Sequence, residues 1–230
     1  MIVAQHDGRS VLCKESGQKA ICPECRAPVT GKYGSVVIPH FAHLASTRCS
    51  YGSHGESEWH LRWKWLFARA GWEYEVRIGD HRADVRRGDC VVEFQKRPLS
   101  DEDYFGRADT YGDEMIWVVD GSRRGFTFTE NKQFVWGSIG ALGWLEGASQ
   151  RVIIDDGYDS AYLVSGLRRR RSRKTMREYI HCDVEHVWER EVDGWDEHAQ
   201  LLQCLTSSAD LGSTDLLVMD HLGNEWRIKL

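Results

Sequence analysis

The run Arg82-Ala83-Asp84-Val85, the step Gly88-Asp89 and then Val91-Val92-Glu93-Phe94-Gln95 constrain this chain more than any other feature. Apolar and polar residues alternate on both sides of a turn signal, which is the period of a strand with one buried face. Glycine in the first turn position suits a two-residue hairpin. Residues whose numbers share one sum then face each other, so Asp84 falls opposite Glu93. Gln95 shares their face, while Val92 and Phe94 turn the other way. Like charges directly opposed on a sheet destabilise it, and a hard divalent cation such as Mg²⁺ or Mn²⁺ between them would reverse that. An acidic, solvated hairpin is the plain alternative.

The residues upstream read as a helix. Glu56, His60 and Lys64 recur every four positions as a polar ridge, while Trp59, Trp63, Leu66, Phe67 and Ala70 supply an apolar face. Downstream, Ser100 with Asp103 three residues on is a helix start, and that helix runs to about Tyr111. Arg107 and Tyr111 share one of its faces. They suit either a phosphate contact or a structural Arg–Tyr pair. Met115–Val119 is a buried strand ending at the turn signal Asp120-Gly121. Helix, strand, hairpin, helix and strand together predict an α+β or α/β fold, a small mixed sheet flanked by helices.

A second site lies near the amino terminus. Cys22 and Cys25 have the knuckle spacing of structural zinc, and His43 with Cys49 would complete a tetrahedron, with His40 the rival ligand. Val36-Val37-Ile38 is expected to form a strand leading back to the knuckle. Cys13, Cys90, Cys182 and Cys204 stand at unrelated spacings and read as core thiols.

With 230 residues, ten tryptophans and 41% hydrophobic residues, the chain can bury a sizeable core. No charged and apolar leader opens it and no apolar run approaches a membrane span, which predicts a cytoplasmic protein. A net charge of −5 argues against a protein that coats nucleic acid nonspecifically. The charge is unevenly spread, however. Arg168, Arg169, Arg170 and Arg171, with Arg173, Lys174 and Arg177, form a basic run suited to phosphates or to a solvated linker. Phe126–Thr129 alternates like a strand, and Arg151–Asp155 with Tyr162–Val164 reads as a hairpin. Trp136, Leu142, Trp144 and Leu145 read as core contacts. Beyond about residue 175 lies a mixed acidic tail with short apolar alternation.

The ordered set Cys22-Pro23-Glu24-Cys25, Pro39-His40-Phe41-Ala42-His43, the Glu56–Lys64 helix, Arg82–Val85, Val92–Gln95, Arg107 and Tyr111 resembles the competence protein CoiA-like family over roughly residues 1–165. The resemblance implies a core like that of the PD-(D/E)XK nucleases. It implies that Asp84 and Glu93 bind the catalytic metal, with the Phe94 carbonyl a further ligand. Gln95 stands where many of those nucleases carry a lysine; Lys64 or the adjacent Lys96 would supply the cation, and Lys64 is favoured because strand alternation turns Lys96 to the opposite face, with Glu56 and His60 as metal, water or proton-handling partners. The domains expected are a zinc-knuckle β segment over 1–52, a nuclease-like core over 53–165, and a basic linker with an accessory region over 166–230. The function expected is Mg²⁺- or Mn²⁺-dependent hydrolysis of DNA, with a protein partner possible at the carboxyl-terminal region. A nuclease-fold protein that binds without cutting is the competing expectation.

Overall fold

The computed structural model describes residues 1–34, 38–45, 47–49, 57–123, 125–129, 133–157, 160–189, 216–219 and 225–228. Residues 1–66 and 67–230 form two units. Glu56, Val36, Val37 and Cys204 lie outside the described residues.

The first unit is a five-stranded antiparallel sheet in the order β2-β1-β3-β4-β5. Its strands are β1 (Val3–His6), β2 (Arg9–Leu12), β3 (Lys19–Ile21), β4 (Pro28–Lys32) and β5 (His40–His43). Asp7 and Gly8 both take positive φ, 49° and 74°, between the paired residues His6 and Arg9. Asp-Gly tolerates those angles, and a turn of that hand matches the strand twist. Its small core gathers Ala4, Cys13, Ala20, Cys22, Val29 and Phe41. The strand expected over 36–38 is not one at Ile38; β5 begins at His40.

Helix α1 spans Glu58–Arg69. Ser57 starts it, its hydroxyl accepting the N–H of His60 at 3.3 Å, which satisfies one of the donors a helix start leaves open.

The second unit is a mixed sheet in the order β10-β11-β14-β13-β12-β9-β8-β7-β6. Strands β6 (Glu73–Ile78), β7 (His81–Arg87) and β8 (Cys90–Gln95) form an antiparallel meander. Helix α2 (Asp101–Tyr111) crosses to β9 (Ile116–Asp120), which runs parallel to β8. The remainder is β10 (Phe126–Phe128), β11 (Phe134–Ser138), the short helix α3 (Ile139–Leu142), a 3₁₀ turn over Gly143–Leu145, β12 (Arg151–Asp155), β13 (Ser160–Arg171) and β14 (Glu178–Glu189). β9 and β12 are also parallel. Every residue of β9 is buried, as expected of a strand with parallel neighbours on both sides and cover on both faces. Strands β15 (Leu216–Met219) and β16 (Glu225–Ile228) pair with each other. No helix among the described residues is long and apolar enough to cross a membrane.

Side-chain alternation divides the sheet near the hairpin. Phe94 meets Phe67 with ring centroids 5.4 Å apart. On the opposite face α2 covers β8 and β9, where Tyr104 stacks on Trp117 at 5.8 Å. Ser100 caps α2 as its sequence suggests, accepting the Asp103 N–H at 3.1 Å.

Two expectations need correction. The arginine run is no linker: Arg168–Arg171 close the long strand β13, paired residue for residue with β14 from His181 to Glu178, and β13 continues through positions 165 and 166, where its register against β14 shifts by one residue. A turn over Ser172–Arg177 returns the chain, and backbone pairing organises what charge alone suggested was solvated. Trp136 is not a core residue either. It is 38% exposed because Val135, its neighbour, takes the buried face of β11, whereas Leu142, Trp144 and Leu145 are buried.

Candidate functional site

In the first unit, the knuckle sits in the turn between β3 and β4. The N–H of Cys22 donates to Ala27 O at 2.9 Å, and Arg26, at φ 60°, donates back to Cys22 O at 3.1 Å. This turn brings Cys22 and Cys25 to one end of the hairpin. β5 pairs with β4 through His43 and Val29, and the chain after β5 returns Cys49. One ligand atom from each of Cys22, Cys25, His43 and Cys49 lies within 4.8 Å of every other. Cys22 Sγ and Cys49 Sγ are 3.9 Å apart, and Cys25 Sγ is 3.3 Å from His43 Nε2. A tetrahedron with metal–sulfur bonds of about 2.3 Å has edges of roughly 3.8 Å, so the four groups could hold a metal such as zinc. His40 is excluded by strand alternation. Three positions before His43, it faces the other side of β5, and its Nδ1 lies 2.7 Å from Ile38 O. Burial raises the Cys22 thiol to about 11 and lowers His43. Cys25 is lowered, chiefly by the Ala27 N–H.

In the second unit, the β7–β8 register matches the hairpin read from the sequence. Val85↔Val92, Arg86↔Val91 and Arg87↔Cys90 pair across Gly88, whose φ is 59°. One step further, Asp84 comes level with Glu93, and there the ladder changes. Asp84 Oδ2 accepts the backbone N–H of Phe94 at 2.9 Å, so the carboxylate substitutes for a main-chain acceptor. On the other side of β7, Tyr74↔Val85 and Val76↔Ala83 bracket Glu75 against Asp84. Glu75 takes φ 51° and lies 3.9 Å from Arg82. Three acids therefore occupy one row of three strands. Glu75 was not singled out from the sequence, although the Gly79-Asp80 turn that sets its register was visible there.

Glu93 is 2% exposed. Its carboxylate accepts from Arg107 Nη1 on α2, so Arg107 meets an acid here rather than standing as a simple Arg–Tyr pair. Burial raises the Tyr111 phenol, and the charge on Glu93 raises it further, partly offset by Arg107. Asp84, Glu93, Arg107 and Tyr111 thus form one electrostatic cluster. Gln95 Nε2 donates to Arg97 O, which turns its amide toward the segment after β8. Lys64 and His60 belong to α1 in the first unit. Lys64 is 4% exposed and His60 half-buried, and the four-residue spacing keeps both on one side of that helix.

The basic run is divided between carboxylates and solvent. Arg168 pairs with Asp183, and Arg169 pairs with Glu146 and lies 3.5 Å from Glu178. Arg170 and Arg171 are exposed, and Arg171 Nε donates to Met176 O at 3.1 Å.

The geometry defines a chain with a Cys/His metal-type cluster in an amino-terminal β unit and an acidic row in a mixed sheet. Residues 4–52 match the family model of the competence protein CoiA, N-terminal domain. That match supports the CoiA-like family for this chain, and it covers the residues carrying the Cys/His cluster. No curated protein and no solved structure matches the chain.

Proposed function

We propose that this chain is a metal-dependent nuclease of the CoiA-like kind, hydrolysing DNA phosphodiester bonds on a PD-(D/E)XK-type core. The carrying observation is the placement of Asp84 and Glu93 level with each other on β7 and β8, under a helix that brings Arg107 and Tyr111 to the same place. The order of elements supports the reading: a helix, an antiparallel meander of three strands, a second helix, and a strand parallel to the last of the three.

The acidic donor set fits a hard divalent cation. Asp84, Glu93 and the Phe94 carbonyl would hold Mg²⁺ or Mn²⁺, which supplies Lewis acidity and an activated water for in-line attack. Arg107 balances the buried charge of Glu93 and presents a guanidinium beside the acids, where it can steady a phosphate. Tyr111, kept protonated by its surroundings, is a hydrogen-bond donor. Gln95 can orient water but brings no charge to the developing phosphorane. The Cys22, Cys25, His43 and Cys49 site is assigned to structural zinc, because four protein ligands leave no position open for chemistry. The exposed arginines of the β13–β14 hairpin are assigned to the DNA backbone and the carboxyl-terminal region to a protein partner, in a cytoplasmic protein.

A second reading, binding without cutting, draws on the Arg107–Glu93 pair and on glutamine at the lysine position. Cleavage of labelled single-stranded and duplex DNA in Mn²⁺ and Mg²⁺, with Glu93→Ala prepared in parallel, separates the two. Wild-type cutting lost in the variant supports the nuclease. Binding without cutting by either protein supports the second reading.

A further inference from the structure

A cavity of about 430 Å³ opens at the carboxyl ends of β8 and β9, in the second unit. Gln95 forms part of its wall, two residues along β8 from Glu93. Crevices beyond the carboxyl ends of parallel strands are where open α/β sheets commonly take ligands, because strand ends there diverge into loops. This volume falls within the range of small-molecule sites, and it accommodates one nucleotide rather than a passing duplex.

The charge on its wall is one-sided. Lys96, Arg97 and Arg123 line it against a single carboxylate, Asp120. That carboxylate is a support for Lys96. Asp120 is 1% exposed, its Oδ1 accepts the Ser122 N–H at 3.0 Å, and Oδ2 lies 3.5 Å from Lys96 Nζ. Arg123 Nη1 donates to Lys96 O at 2.9 Å, which ties the 96–97 segment to the loop after β9. Lys96 and Arg123 are thus held in place before a ligand arrives, which lowers the ordering cost of binding. Val119, Phe126, Ala141 and Trp144 supply an apolar wall, suited to a base or a sugar. Gly121 keeps this corner closely packed, since a Cβ there would lie 2.9 Å from Phe128 Cζ and 2.7 Å from Asp155 O.

We propose that this cavity receives the end of a nucleic-acid strand, its cations binding a terminal phosphomonoester and its apolar wall the attached nucleotide. A phosphomonoester carries more charge than an internal diester, and cations gathered at one mouth favour it. The proposal rests on the nuclease reading for the identity of the strand as substrate, and it deepens that reading: the enzyme would act at or near phosphorylated ends.

The test uses the full chain without added Mg²⁺ or Mn²⁺ and measures fluorescence anisotropy with one oligonucleotide sequence. The oligonucleotide carries a 5′-phosphate, a 3′-phosphate, or hydroxyls at both ends. One phosphorylated form is expected to bind about tenfold more tightly than the hydroxyl form, and which one identifies the end. Inorganic phosphate should compete that difference away. Arg97→Ala with Arg123→Ala, both exposed, should erase the difference while leaving in place the hydroxyl-end binding that reports a folded chain. Equal affinity for all three forms, or a preference that survives the double variant, overturns the proposal. A parallel Mn²⁺ cleavage assay separates it from the nuclease reading. An end preference without cutting keeps the cavity and removes the nuclease. Equal cutting of all ends without a binding preference keeps the nuclease and removes the cavity.

Discussion

Arg107 on α2 donates into the carboxylate of Glu93 on β8, a side chain 2% exposed to solvent. A buried carboxylate needs a counter-charge, because an uncompensated charge out of water is strongly destabilising. The same carboxylate is assigned to a metal, so one acid serves two cations. Removing either partner should be readable in both stability and metal response.

Arg107→Met should lower unfolding free energy by about 3 kcal/mol, the usual penalty for leaving a buried charge without its partner. Urea denaturation measures it. Mn²⁺ should recover more stability in this variant than in the wild type, because the ion replaces the missing charge. Arg107→Met with Glu93→Gln should be milder than Arg107→Met alone. Equal Mn²⁺ shifts in wild type and Arg107→Met would count against Glu93 as a metal ligand.

Cys22→Ser should lose bound zinc and lower Tm, since in a small β unit the metal contributes folding free energy directly. Metal content after gel filtration is the measurement. His40→Ala should keep its zinc, because His40 faces away from the cluster. Stoichiometric zinc in Cys22→Ser would remove that residue from the ligand set.

Stability should fall as pH rises from about 9 toward 12. Burial raises the Cys182 thiol from 9.0 to about 12, so across that window the unfolded chain has released a proton that the folded chain retains. Unfolding then gains with each unit of pH. Tyr104 and Tyr111, also raised by burial, act in the same direction at higher pH. Tm measured between pH 8 and 11 should decline less steeply in Cys182→Ala. An identical slope in the variant would show that this thiol contributes nothing to it.

Trp144→Ala and Trp136→Ala should differ sharply. Trp144 packs edge-on against Trp117 at 5.3 Å and against Tyr104 at 5.9 Å in the core. Its loss should cost about 3–5 kcal/mol. Trp136 lies on the opposite face, edge-on to Tyr179 at 5.1 Å, and its removal should cost about 1 kcal/mol, in line with an exposed aromatic pair. Similar costs for both would refute the assigned strand alternation.

Arg170→Gln and Arg171→Gln should weaken DNA binding more than Arg168→Gln, because Arg168 is already committed to Asp183. Each phosphate that is no longer neutralised flattens the logarithmic salt dependence by about 0.9 on duplex DNA. Titrations at several salt concentrations read this directly. An unchanged slope in the Arg170 and Arg171 variants would remove the hairpin from the DNA-binding surface.

Where neighbours along the chain decide the outcome, the residues alone were sufficient. The Gly88-Asp89 turn and a period of two placed Asp84 level with Glu93, Ser100 placed the start of α2, and the Cys22-x₂-Cys25 spacing placed two thiols on one turn. In each case the geometry follows from backbone torsions and fixed side-chain periodicity over a few residues. The tertiary structure decided what depends on segments far apart. It directed Arg107 to Glu93, drew Arg168 and Arg169 onto Asp183 and Glu146, and made a strand of an apparent linker. It also turned Trp136 to the surface and joined Lys96, Asp120 and Arg123 around one cavity. Charge and hydrophobicity in a sequence state what a side chain can satisfy, but only the packed sheet determines which partner stands within reach.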